Sequence, residues 1–156
     1  MKDMGNLLVE GNGKGNKAII VWVVCYVVMA IAFFVSANIF AYQTINIFGI
    51  TTTHRDDVIW WTFIVLGAIF VVMAVLIALS IAKTHIKVYE SGIMGKGISK
   101  WFYFGDVRTF DFMLSYDQVS VDVNGGQIVV HGPGTHYKVY VNNGPKIQQA
   151  IFQQKN

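Results

Sequence analysis

Residues 18–42 read AIIVWVVCYVVMAIAFFVSANIFAY, without a single charged side chain. A helix rises about 1.5 Å per residue, so roughly 20 apolar residues cross a hydrocarbon layer ~30 Å thick. A core helix of a soluble domain keeps a polar face, and this segment has none. A second run at residues 59–82, IWWTFIVLGAIFVVMAVLIALSIA, has the same character. The two predict a transmembrane helical hairpin, with helices at 18–42 and 59–82 and an outer loop at 43–58. A cleaved signal sequence is the competing reading of the first run. Lys14 and Lys17 precede it, and Val35-Ser36-Ala37 resembles a small-residue cleavage site. The run is nevertheless longer than the ~7–15 apolar residues of a signal core, and it continues past that site.

These two segments explain an unusual composition. The 156 residues are 54% hydrophobic and 13% charged, where soluble chains carry about 25% charge. Orientation follows from Lys and Arg near the helix ends. Lys2, Lys14 and Lys17 precede the first helix, and Lys83, Lys87, Lys96 and Lys100 follow the second. The connector carries only Arg55, beside Asp56 and Asp57. The expectation is a multi-pass protein of the cell (inner, cytoplasmic) membrane with both termini in the cytoplasm. Cys25, the single cysteine, lies in the first helix, so no intrachain disulfide forms and a four-cysteine zinc site is excluded.

Small residues recur at four-residue spacing in both helices, Ala32 and Ser36 in the first, and Ala74, Ala78 and Ala82 in the second. Such faces let backbones approach closely, within the hairpin or in a homo-oligomer. Neither span holds Asp, Glu, Lys, Arg or His, the residues that mark ion and proton paths. The leader, residues 1–17, is polar and glycine-rich and reads as a flexible cytoplasmic segment. Its Lys14 is followed by Gly15, so GNGKGN is no phosphate-binding P-loop.

The tail, residues 83–156, reads as short strands. Ile86 and Val88 alternate with Lys87 and Tyr89, and Val119, Val121 and Val123 alternate with Ser120 and Asp122, the period of half-buried strands. Further strands are predicted at 93–98, 101–104, 107–114, 127–131 and 135–141. Asn124-Gly125-Gly126 marks a hairpin. Gly95 and Gly97 mark a strand that bends or lies against another backbone. Pro145 starts a helix whose Ile147, Ala150 and Ile151 share one apolar face. The fold expected for 83–156 is a seven-stranded antiparallel barrel capped by this helix.

The order of these elements resembles the bacterial PH-like (pleckstrin-homology-type) domains. The matching features are the turn at Gly92 with Ile93, and the aromatic strand entering Phe104-Gly105-Asp106-Val107. Ile128–Gly134 and the helix opening Asn143-Gly144-Pro145-Lys146-Ile147 complete them. The layout is also similar to the YcxB-like group of two-helix membrane proteins. The resemblance covers the tail, about half the chain. It implies a fold more firmly than an activity. Basic residues in the first hairpin loop serve lipid recognition in eukaryotic relatives, and that loop here offers only Ser91 and Gly92.

Lys83, Lys87, Lys96 and Lys100 lie next to the membrane boundary and are candidates for contact with an anionic leaflet, at about 1 kcal/mol each. The same residues also satisfy the positive-inside rule and keep the tail soluble. His131 and His136 flank Gly-Pro-Gly-Thr and can face one another in a hairpin, but a metal needs a third or fourth ligand, so no metal and no other cofactor is expected. Hydrolase and metalloprotease motifs are absent, and no catalytic residue is nominated. Aromatics and lysines occur together, yet the aromatics alternate along a strand, so no nucleic-acid partner is expected. The expected function is non-enzymatic. The tail binds another protein or the membrane surface as a scaffold, assembly or stress/immunity-type component. The alternative is an accessory subunit of a transporter or channel, docked through its helices.

Overall fold

A computed structural model describes residues 4–99 and 108–155. In chain order the elements are β1 (Leu7–Asn12), α1 (Lys17–Phe40), β2 (Tyr42–Ile47), β3 (Ile50–Arg55), α2 (Asp57–Lys83), β4 (His85–Tyr89) and β5 (Gly92–Ser99). Then come β6 (Thr109–Ser115), a 3-10 turn (Tyr116–Gln118), β7 (Ser120–Asn124), β8 (Gln127–Gly132), β9 (Thr135–Tyr140) and α3 (Gly144–Lys155). The chain divides into two compact units, Met1–Ile20 with Ile77–Asn156, and Val21–Leu76.

The larger unit is a curled antiparallel sheet of seven strands with α3 at its C-terminal end. Its strands run β1-β4-β5-β9-β8-β7, and β6 also pairs with β5. β5 is the branch point. Residues 92–96 pair with β4 along one edge and with β6 along the other, while Ile98 and Ser99 pair with β9. Its glycines make this possible. A Cβ on Gly95 would sit 2.2 Å from the His85 carbonyl oxygen, and one on Gly97 would sit 2.8 Å from Tyr137 Cβ. Only a residue without a side chain allows that approach.

The sheet departs from the sequence expectation in where its seventh strand originates. Residues 1–17 were expected as a flexible leader, but Leu7–Asn12 is the strand β1, paired antiparallel with β4. Its alternation is masked by Gly11, where a Cβ would sit 2.5 Å from Ile147 Cδ1 and 2.7 Å from Asn143 Oδ1. The expected strand at Trp101–Phe104 lies outside the described residues, as do Lys100 and Asp106.

Alternation sets the core. Ile86 and Val88 of β4, Ile128 and Val130 of β8, and Val139 of β9 point inward and are fully buried. Ile147 and Ile151 of α3 close over this layer, each burial stabilising by about 1.5–3 kcal/mol. The Asn143 side-chain amide donates to the Glu10 carbonyl at 2.9 Å, tying the start of α3 to β1.

The smaller unit holds most of α1 and α2 and the hairpin between them. Both helices are long and apolar enough to cross a membrane. The connector was expected as a plain loop but forms the hairpin β2–β3, in register from Tyr42↔Arg55 to Ile47↔Ile50. Its two-residue turn, Phe48-Gly49, has both φ angles positive, at 52° and 79°. This is the left-handed conformation that tight hairpins require, with phenylalanine in a position that usually takes Asn or Gly. Asp56 caps α2, its Oδ1 accepting from the N–H groups of Val58 and Ile59 at 3.0 and 3.1 Å.

Helix packing within this unit follows a seven-residue repeat. Tyr26, Phe33 and Phe40 of α1 alternate with Phe70 and Phe63 of α2, at centroid separations of 5.2–6.1 Å. Between the rings lie the buried Ala30 and Ala37 on α1, and Gly67 and Ala74 on α2. A Cβ on Gly67 would meet the Phe34 ring at 2.5 Å. The period of 3.5 is that of a coiled-coil seam. Of the small residues singled out in the sequence, Ala74 lies on this seam. Ala32 is exposed and Ser36 half-buried, because four-residue spacing drifts off a seam of period 3.5; Ala78 and Ala82 are half-buried.

Candidate functional site

The residues that join β1 to α1 and α2 to β4 form a tightly bonded cluster. β1 and β4 are neighbours, with Asn12 opposite His85. The chain therefore enters α1 and leaves α2 from one pair of adjacent strands. Gly13 donates its N–H to the Thr84 carbonyl at 2.9 Å. A Cβ at Gly13 would lie 2.0 Å from the Ile81 carbonyl oxygen, so glycine is needed for this approach. Thr84 is fully buried. Its hydroxyl donates to the Ile81 carbonyl at 2.8 Å and accepts from the Tyr140 N–H at 3.1 Å. One side chain thus closes the end of α2 and fastens it to β9.

Asn16 performs the matching task at the start of α1. Its Oδ1 accepts from the Ala18 N–H at 2.9 Å, which caps the helix. Its Nδ2 donates to the carbonyls of Gly126 and Val141, both at 2.9 Å. Asn16 is 3% exposed and Val141 is fully buried, so without this bond the side-chain amide and the Val141 carbonyl would be buried polar groups lacking a partner, while the Gly126 carbonyl also accepts from the Val141 N–H at 2.9 Å. Further out, the Asn6 N–H and Nδ2 donate to the Glu90 carboxylate at 3.1 and 2.9 Å. The backbone bond first, and the side-chain bond second, hold the Glu90 carboxyl below its usual value.

Beside this cluster lies a cavity of about 440 Å³ lined by Glu10, Asn12, Lys14, Ala82, Lys83, Thr84, His85 and Lys87. Two of the lysines named from sequence, Lys83 and Lys87, are brought together here. Lys14, from the segment between β1 and α1, joins them. Lys87 lies 3.7 Å from Glu10. Lys96 sits on the neighbouring strand opposite His85 and pairs with Asp111 at 3.4 Å. Lys100 lies outside the described residues. The signal for Lys14 was present in its position before α1, but grouping it with Lys83 required knowing that β1 pairs with β4.

His131 and His136 do face one another across β8 and β9, with Nδ1 atoms 2.5 Å apart. His131 Nε2 is 2.7 Å from Asp122 of β7. This chain of three polar groups lies along one sheet face. Among the described residues no group of three or more His, Cys, Asp or Glu is arranged to hold a metal ion. His54 is exposed on β3, and His85 lies with its Nδ1 3.3 Å from the Lys83 carbonyl oxygen. Burial raises the Tyr116 hydroxyl above its usual value, and that hydroxyl donates to the Tyr89 carbonyl, which makes it a core tie.

No family model, curated protein or solved structure matches this chain.

Proposed function

We propose that this chain is a non-enzymatic membrane protein, in which the hairpin of α1 and α2 sits in the bilayer and the curled sheet works at the cytoplasmic surface as an interaction module. The observation that carries the reading is the pairing of Asn12 with His85. Strands leading into α1 and out of α2 are hydrogen-bonded neighbours. If both helices cross a membrane, β1 and β4 must lie on the same side of it. Charge supports that side being cytoplasmic. Lys14, Lys17, Lys83 and Lys87 lie at this end of the helices, while the connector carries Arg55 paired with Asp57 at 2.7 Å.

The PH-like reading of the sheet is supported by its element order, by its curled antiparallel form and by α3 packing over the core. In this reading the sheet serves a protein partner or the membrane surface. The bonded cluster of Gly13, Asn16 and Thr84 keeps it firmly attached to the helix ends. Extraction of cell membranes with alkaline carbonate tests the premise. The full chain is expected to remain in the pellet, and its release with the peripheral proteins refutes the reading.

A further inference from the structure

We infer that the cavity between Lys14, Lys83, His85 and Lys87 is a binding site for the phosphate of an anionic lipid headgroup. The inference rests on the membrane reading above and names the ligand class of that surface. Four observations carry it. The cavity is concave and of the size that small ligands occupy, about 440 Å³. It gathers three lysines and a histidine against one carboxylate, Glu10. Glu10 is engaged with Lys87. Among the described residues, neither Lys14 nor Lys83 has a carboxylate within ion-pair distance.

The fourth observation is position. The apolar run of α2 ends at Ala82, and Lys83 is its last residue. The cavity begins at this boundary and includes Ala82, Lys83 and Thr84. A helix that ends its apolar surface at the edge of the hydrocarbon places the following residues at headgroup depth. A soluble phosphate would need no such placement, which is why the lipid is the favoured source. The walls are fixed in place. Thr84 is locked to Ile81 and Tyr140, and the Lys14 carbonyl accepts from the Asn142 side chain at 3.0 Å. A fixed backbone around the lysines lowers the cost of ordering the site on binding.

Native mass spectrometry of the detergent-solubilised full chain tests this, with added phosphatidylglycerol, phosphatidylcholine, or inorganic phosphate. The expected result is one phosphatidylglycerol retained at a concentration at least about tenfold below that for phosphatidylcholine, given two unpaired lysines. The double variant Lys14→Gln/Lys83→Gln is expected to lose that preference, Lys14→Arg/Lys83→Arg to keep it, and Lys146→Gln, on the exposed side of α3, to leave it unchanged. Equal retention of the two lipids by the wild-type chain overturns the inference. So does an unchanged preference in the Gln double variant, or displacement of phosphatidylglycerol by inorganic phosphate at equal concentration. Carbonate extraction of the same variants separates the two levels. A chain that stays in the membrane pellet without lipid preference sinks the pocket alone, whereas a chain released from the pellet sinks the membrane reading itself.

Discussion

The side-chain amide of Asn16 donates to the backbone carbonyl of Val141, 125 residues further along the chain, at 2.9 Å. The same nitrogen reaches the Gly126 carbonyl, and the same side chain caps α1. Replacing it by Ala removes a cap and strands one buried carbonyl, that of Val141, while the Gly126 carbonyl keeps its bond from the Val141 N–H. A loss of about 2–3 kcal/mol is expected, read as a lower Tm of the full chain in detergent. Asn16→Asp keeps the cap but turns a donor into a charged acceptor against two carbonyls, so it is expected to be at least as damaging. Equal Tm values for wild type and both variants would remove this bond from the account.

Gly13→Ala tests the contact between the β1–α1 connection and the last turn of α2. The added Cβ would lie 2.0 Å from the Ile81 carbonyl oxygen, a backbone atom that cannot step aside without moving α2. Destabilisation of about 1–3 kcal/mol is expected. Gly15→Ala is the useful comparison. Its Cβ has open space around it, but its φ of +70° is costly for any L residue, so its loss is expected to be about 1 kcal/mol.

The Glu90–Asn6 contact makes the docking of β1 sensitive to acid. Asn6 donors lower the Glu90 carboxyl in the folded chain. A depressed folded value means that the contribution is complete above the ordinary value, near 4.5, and is lost as pH falls through the folded value. Protection of the Leu7–Asn12 amides against hydrogen exchange is therefore expected to fall, relative to the β8 amides, as the pH drops below 4.5 and through the lowered Glu90 value. Glu90→Gln is expected to show the reduced protection already at neutral pH. Identical profiles for the two chains would show that the contact does not hold β1.

The helix seam predicts which small residues matter. Ala30→Leu and Gly67→Leu place bulk where rings interdigitate, and both are expected to destabilise the hairpin by about 1–3 kcal/mol. Ala32→Leu adds bulk to an exposed position and is expected to change Tm little. The reverse order would contradict the seven-residue seam.

The apolar helices and most of the sheet were legible because their signals are periodic and local. Ile86 and Val88 alternate as a strand does, and Ile147 and Ile151 share a helix face. The seventh strand was not. LLVEGN alternates poorly, and its one glycine, Gly11, answers to distant atoms, the side chains of Ile147 and Asn143, so nothing within this segment announces that β4 lies beside it. The seam was missed for a different reason. Tyr26, Phe33, Phe40 and Phe63, Phe70 repeat every seven residues in plain view, but in runs that are apolar on every face the aromatic period is hidden among other apolar residues. The candidate cavity needed the first of these facts, since Lys14 meets Lys83 only through the pairing of β1 with β4.

The central claim is that both ends of the helical hairpin share one side of a membrane. The direct test is labelling of single cysteines, in a Cys25→Ser background, with an impermeant maleimide added to intact cells. Thr51→Cys, in the β2–β3 hairpin, is expected to label from outside. Lys14→Cys and Gln153→Cys are expected to label only after the cells are opened. Labelling of either of these two in intact cells, or protection of position 51 until lysis, would contradict the account.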